Sequence, residues 1–445
     1  MIKKIFTPLE KFLLCKNTSS SFRRYFLTGF IIFLVSSFIL NTGLLYPLEP
    51  LSLESLINEA KENNPSILAA KKRWEASRAR VPQAKSLDNP SVGISFMKIP
   101  KGTLKVKSTM PEDRTLSITQ MFPFFGKLPL KGKIALVESQ MIAAEYKNKE
   151  LEVINAVKNA YYDLFMNYKE IELNREGLLF LQNISGIAEA KYVVGDAMQE
   201  ELFKISLEIA RLSNTIANLK EEKRAKETRL NALLNREPEA LQGLPVLSED
   251  LSFNKDITSL YRLTLENQPE LLIFSYAIEK NKYAESLAKK SYLPDIMSGI
   301  ILRGLGTGSF GLWDLMLSFS VPFWFWTKQR YEVKEAIAGL EEARAAYQAM
   351  ENKMLSETKD LATKVTVARN NIYLYKNNLI PLLKNSIASS LSGYRAGKGD
   401  IMMLLDNERM LIETRMNYYK ALVEYNMNLA DLERAVGLNL DEVKK

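Results

Sequence analysis

The sequence predicts a mainly α-helical fold with a smaller β part, built as one unit repeated twice. Three observations predict it. Glycine and proline are scarce, at 20 and 16 in 445 residues; that is about 8% against a usual figure of about 12% and favours long uninterrupted elements. A set of landmarks recurs in the same order about 200 residues apart. Four short segments alternate apolar and polar residues, and long stretches of helical spacing surround them.

Composition removes most chemistry. Apolar residues make up 47% and charged residues 25%, so the chain is neither disordered nor a polytopic bundle of membrane helices. There is no histidine, which removes Ser-His-Asp hydrolysis, His-ligated metals and any imidazole acid or base. Cys15 is the single cysteine, so an internal disulfide, a cysteine zinc cluster and an iron–sulfur site are excluded. Carboxylates are plentiful, but none forms a recognisable hydrolytic pair. The sequence therefore reads as a non-enzyme without a cofactor or a resident metal.

The net charge of +8 does not mark a nucleic-acid binder. Residues 1–46 hold Lys3, Lys4, Lys11, Lys16, Arg23 and Arg24 against Glu10, a balance of +5, which leaves +3 for the rest. Arg23-Arg24 precedes an uncharged run from Tyr25 to Leu45. A basic flank before an apolar run reads as a signal peptide over 1–46. The run also suits a retained N-terminal anchor. Arg23-Arg24-Tyr25-Phe26-Leu27 resembles a twin-arginine signal, although an ordinary basic flank is the favoured account. Cys15 lies before the run and so is not a lipoprotein cysteine.

The duplication sets the domains. Glu62-Asn63-Asn64-Pro65 recurs as Glu266-Asn267-Gln268-Pro269, and Pro90 recurs as Pro294, both 204 residues on. Leu116–Pro123 parallels Leu315–Pro322 at 199, and Tyr192-x-x-Gly195 parallels Tyr394-x-x-Gly397 at 202. Leu234 meets Val436 at the same offset of 202. The expected repeats are 47–250 and 251–440, with a tail at 441–445.

Each repeat reads alike. A helix of about 30 residues comes first (52–86 and 256–291), ending near a proline. Two strand-like segments follow. A very long helix starts near Lys127 or Lys328 and runs to the Tyr-x-x-Gly stop, where Gly195 or Gly397 adopts a left-handed cap. A second long helix follows, with Asp196 and Gln199 placed to cap it in the first repeat. It ends at Asn235-Arg236-Glu237-Pro238, or near Gly437.

The long helices carry heptad seams. One is Met354, Leu361, Val365, Ala368, Ile372, Tyr375, Leu379 and Leu382; its partner is Leu411, Thr414, Tyr418, Ala421, Tyr425, Asn428, Leu432 and Ala435. Val153, Val157, Ala160, Leu164 and Tyr168 do similar work in the first repeat. Pro381 is expected to kink its helix, while Leu179 holds the matching place. Such narrow seams suit either a plain coiled-coil rod or a wall of helices around a passage.

The strands alternate over Ser91–Met97, Thr115–Phe122, Ile296–Leu302 and Leu312–Val321. A soluble sheet with one buried face is the simple account of alternation. Length argues for another, since a strand crossing a bilayer needs about 9–11 residues. Aromatics also crowd one end, at Phe122, Phe124 and Phe125 and at Phe323-Trp324-Phe325-Trp326, which suits a membrane interface. Lipid tolerates no open strand edge, so four strands demand assembly: eight from two copies or twelve from three. Gly304-Leu305-Gly306-Thr307-Gly308 lacks the Lys-Ser/Thr ending of a phosphate loop and reads as a loop between strands.

These residues together resemble the TolC family of outer-membrane efflux proteins, in its metal- and drug-exporter branch. The resemblance rests on Asn64-Pro65, Asn89-Pro90, Gln120-Met121-Phe122-Pro123-Phe124-Phe125-Gly126-Lys127, Tyr292-Leu293-Pro294, Val321-Pro322-Phe323, Tyr394-Arg395-Ala396-Gly397 and Leu404-Leu405-Asp406, over roughly 50–440. It implies a homotrimeric channel of a tripartite efflux or type I secretion system. Three chains would give a twelve-stranded barrel in the outer membrane and a helical barrel across the periplasm. Implied partners are a periplasmic adaptor, an inner-membrane pump or exporter, and outer-membrane lipid. The adaptor would meet the tips at Tyr192, Gly195, Asp196, Tyr394, Arg395 and Gly397. Asp406 matches one of two acidic gate residues of the family; the other position holds Met403, with Asp400 or Glu200-Glu201 as substitutes. The alternative is a periplasmic coiled-coil adaptor or scaffold held by an uncleaved N-terminal helix.

Overall fold

The structure, a computed structural model, describes residues 50–99, 101–102, 110, 113–240, 243–306 and 311–440. The expected leader over 1–46, Cys15, Thr307, Gly308 and the tail lie outside the described residues. The elements run α1 (Leu53–Asn63), α2 (Pro65–Lys85), β1 (Ser91–Phe96), β2 (Arg114–Phe122), α3 (Lys127–Val193) and α4 (Gln199–Leu234). They continue α5 (Ile257–Asn267), α6 (Pro269–Lys290), β3 (Asp295–Arg303), β4 (Leu312–Ser320), α7 (Gln329–Leu374), a π turn (Tyr375–Leu379), α8 (Ile380–Arg395) and α9 (Ile401–Val436).

The first helix of each half is two helices, which corrects the expectation of a single one over 52–86 and 256–291. Pro65 drives Asn64 out of the helical region, to φ −67° and ψ 122°. The Asn64 side chain then accepts from the Ser66 and Ile67 amides at 2.9 and 3.4 Å and caps α2. Its Nδ2 donates to the Leu233 carbonyl at 2.8 Å, locking the joint to the end of α4. Gln268 breaks the second copy at φ −68° and ψ 118°. Its Nε2 donates to the Arg434 and Ala435 carbonyls, each at 3.1 Å.

α3 has 67 residues, about 100 Å of helix at 1.5 Å per residue. The α7–π–α8 run has the same length but a different interior. Pro381 has no N–H to give the preceding turn, and the π turn at Tyr375–Leu379 sits directly before it. The turn shifts the seam. Met354, Leu361, Val365, Ala368 and Ile372 are buried as expected, but Leu382 is 65% exposed, and Ile387 and Tyr394 take over. Leu179 of α3, the residue that matches Pro381, is exposed too.

α3 packs against α2 and α6 in one part of its length and against α4 and α9 in the other. α7 packs against α6 and α9. Four helices therefore lie side by side at each level. One apolar cluster joins Val157, Ala160, Tyr161 and Leu164 of α3 to Leu230 and Leu234 of α4 and to Val423 and Ala430 of α9. The Tyr161 hydroxyl lies 2.7 Å from the Val246 carbonyl, 2.9 Å from the Leu51 carbonyl, and accepts from the Val246 amide at 2.8 Å. The segment between the halves is thereby pinned to α3.

Candidate functional site

Two regions carry residues whose environment a soluble fold does not explain: the sheet and the two helical tips. The sheet is antiparallel throughout, in the order β1-β2-β3-β4. Residues directly opposite share a face. Val92 faces Ile118, Ile118 faces Ile300, and Ile300 faces Leu315. Ile94, Leu116, Leu302 and Trp313 form the next row, and Phe122, Ile296 and Phe319 a third. Apart from Gln120 and Ser298, which pair within it, and Arg114 at its end, this face is apolar, and most of it is uncovered: Val92 is 66% exposed, Leu315 68% and Trp313 67%. The opposite face carries Ser95, Thr115, Ser117, Thr119 and Ser318, with Arg303 Nη2 on Asp314 Oδ2 at 2.7 Å. Gly299 keeps that face tight, since a Cβ there would lie 2.7 Å from Thr119 Cγ2. β1 and β4 have no outer partner strand among the described residues.

A soluble sheet buries its apolar face; this one leaves it open on both length and breadth. Three strands have nine residues, about 30 Å at 3.3 Å per residue, which equals the hydrocarbon thickness of a bilayer.

At the other end of the long helices are the tips. Both close in the same way. The Gly195 amide donates to the Tyr192 carbonyl at 3.1 Å and Asp196 to Lys191 at 2.9 Å. The Gly397 amide donates to Tyr394 at 3.1 Å and Lys398 to Gly393 at 3.0 Å. These are Schellman caps, with Gly195 at φ 84° and Gly397 at φ 71°. Asp196 does not cap α4, contrary to the sequence expectation. Met198 is the N-cap residue, and its amide donates to Glu201 Oε1 at 3.4 Å. A side chain two residues further out cannot reach the first-turn amides.

Tyr192, Gly195, Asp196, Arg395 and Gly397 are exposed. Tyr394 is not: it is 3% exposed, within a cluster of Leu181, Ile184, Ile205, Ile387 and Leu404. Its hydroxyl donates to Glu201 Oε2 at 2.9 Å. Burial first, and then the Glu201 carboxylate, push the phenol far above its ordinary value, so it stays a donor. Lys191 bonds the Tyr394 carbonyl, and its Nζ sits 4.5 Å from the Tyr394 ring centroid. One residue of the second tip is thus held by both helices of the first tip.

The gate candidates separate. Asp400 caps α9, accepting from the Met402 amide at 2.9 Å. Met403 and Asp406 are exposed. Asp406 lies 3.8 Å from Arg409, whose other nitrogen meets Glu208 at 2.7 Å. Such exposed pairs contribute little stability, so the Asp406 carboxylate stays open to solvent.

Sequence reasoning missed Glu408, one turn beyond Leu404 on the buried side of α9. It borders a cavity of about 240 Å³ shared by α3, α4 and α9. Burial pushes its carboxyl up to about 7, Glu176 adds to this, and Arg415 opposes it. The signal was in the sequence: Leu404, Glu408 and Ile412 share a stripe at four-residue spacing. A carboxyl with a raised folded-state pKa binds its proton more tightly when folded. Its stabilisation is present at low pH and fades as pH rises from about 4.5 to about 7. Amide hydrogen exchange along α9 is therefore expected to be slower at pH 5.5 than at pH 8 after correction for intrinsic rates. Glu408→Gln is expected to flatten that difference. An unchanged pH response in the variant assigns it to other groups.

Comparison with known proteins joins these features. The family described as outer membrane efflux protein matches residues 56–236 and 260–438. The chain is 18% identical over 391 residues to the cobalt-zinc-cadmium resistance protein CzcC of Cupriavidus metallidurans, covering 87% of this chain and 90% of that protein. It is 19% identical over 346 residues to toxin and drug export protein A of Aggregatibacter actinomycetemcomitans, covering 74% and 72%. The solved structure of the outer membrane protein VceC from Vibrio cholerae superposes with a TM-score of 0.73 at 17% identity, covering 87% of this chain and 96% of that one.

Proposed function

The chain belongs to the outer membrane efflux protein family, and from that premise we propose that three copies close into a passive conduit from periplasm to exterior. It is an outer membrane channel component of an efflux system, not an enzyme. Its partners are a periplasmic adaptor and an inner-membrane pump or exporter. The observation that carries the trimer is the open sheet. Its apolar face is uncovered and its two edges are unpaired among the described residues. Four strands cannot enclose a pore, and hydrocarbon admits no free edge. Twelve strands from three copies form a barrel of ordinary size, with Ser95, Thr115, Thr119 and Ser318 toward its lumen. Four side-by-side helices per chain give twelve around the periplasmic passage.

In this reading residues 1–46 are a leader, 47–250 and 251–440 are the two repeats, and 441–445 is a tail. The exposed tip residues Tyr192, Gly195, Asp196, Arg395 and Gly397 meet the adaptor, while the buried Tyr394 holds the two tips together. Three Asp406 carboxylates at the entrance repel one another and attract cations. Removing that charge with Asp406→Asn is expected to change single-channel conductance or its block by multivalent cations in planar bilayers. Recordings indistinguishable from the parent reject the gate role. The coiled-coil scaffold reading is not favoured, because it leaves the open apolar sheet face without a purpose. One of the two curated relatives is named for metal resistance and the other for toxin and drug export, so those names do not choose a cargo for this chain.

A further inference from the structure

All four strands begin or end at one level, where Ser91, Phe122, Asp295 and Ser320 meet the ends of α2 and α6 and the starts of α3 and α7. Two chemistries coincide there. One is aromatic: Phe125, Phe323, Trp324, Phe325 and Trp326 are exposed, and the last four rings stack edge to face at 5.0–6.1 Å. The other is cationic. Residues 82–90, 122–131, 286–295 and 321–332 hold seven Lys and Arg against Asp88, Asp295 and Glu332. Asp295 is already neutralised by Lys127 at 2.7 Å and bound by the Phe124 amide at 2.8 Å. Lys131 near the start of α3, Lys328 at the N-cap of α7 and Arg330 in its first turn are exposed.

One helical turn is about 5.4 Å, close to the depth of the headgroup layer on each side of the hydrocarbon core. Amphipathic rings seat at that depth, and Lys and Arg extend their charge toward phosphate while their stems cover apolar surface. We propose that this collar is a binding surface for the phosphate headgroups of anionic phospholipids in the leaflet next to the helices, with Lys131, Lys328 and Arg330 as the selective contacts. The proposal rests on the reading that the sheet spans a bilayer, and it adds a preference for lipid charge. The collar is continuous with the uncovered apolar face, and its net positive charge favours a headgroup of net negative charge over one whose phosphate is balanced by its own ammonium group.

Tryptophan quenching tests it. The chain has four Trp. Trp74→Phe with Trp313→Phe leaves Trp324 and Trp326 as reporters inside the collar. The purified full chain is reconstituted in phosphatidylcholine bilayers containing brominated phosphatidylglycerol or brominated phosphatidylcholine. At low salt the brominated phosphatidylglycerol is expected to be preferred by about threefold or more. The preference is expected to fall to about one in 1 M salt, and likewise in Lys131→Gln/Lys328→Gln/Arg330→Gln. The salt series uses the unaltered collar, so it stands even if the triple variant assembles poorly. Equal quenching by both lipids at low salt overturns the collar and leaves the channel intact. No quenching by either lipid overturns the membrane reading itself.

Discussion

Leu315→Arg is expected to abolish insertion into the outer membrane. Leu315 lies near the middle of β4, opposite Ile300, in the row that runs on through Ile118 to Val92. A lipid-facing arginine at the bilayer midplane costs about 2–4 kcal/mol. Every copy carries the change, so a trimer bears it three times. Ser318→Arg on the opposite face of the same strand is the control, and it is expected to insert, with altered ion selectivity. Heat-modifiable migration and protease protection in outer-membrane fractions report both variants. Equal insertion of the two would mean that the apolar face does not meet lipid.

Tyr394→Phe combined with Lys191→Ala is expected to raise the open probability of the reconstituted channel. The Tyr394 hydroxyl bonds Glu201 at 2.9 Å, and Lys191 holds the Tyr394 carbonyl. A hydrogen bond to a charged group contributes about 1.5–3 kcal/mol, so its loss shifts an open–closed equilibrium by about ten- to hundredfold. Phe keeps the ring packed among Leu181, Ile184 and Leu404, so the tip stays folded while the tie is lost. Glu201→Gln isolates the charge part of the same contact and is expected to give a smaller rise. A folded double variant with parental open probability would show that this tie does not hold the entrance shut.

Long-range order was legible in the sequence because it is written as periodicity. The 202-residue offset between the Tyr-x-x-Gly stops became two caps of one geometry. Buried Tyr418, Ala421, Tyr425, Leu432 and Ala435 of α9 follow the seam spacing, while Val423 and Ala430, off that spacing, are buried against α3 and α4. What escaped was decided by single residues acting locally or across the fold. The joint at Asn64 needed the proline rule applied inside an apparent helix. The shift from Leu382 to Ile387 followed from a π turn, which heptad counting cannot register because it presumes a constant 3.5 residues per turn. Tyr394 was placed among the exposed tip contacts because its motif lies at a turn. Its burial depends on Glu201, 193 positions away, and no local pattern carries that information.

Native mass spectrometry of the full chain, extracted from outer membranes in mild detergent, tests the central claim most directly. The account predicts a complex of three copies that needs detergent to stay in solution and falls to single chains on heating. A monodisperse single chain, soluble in buffer without detergent, would contradict it.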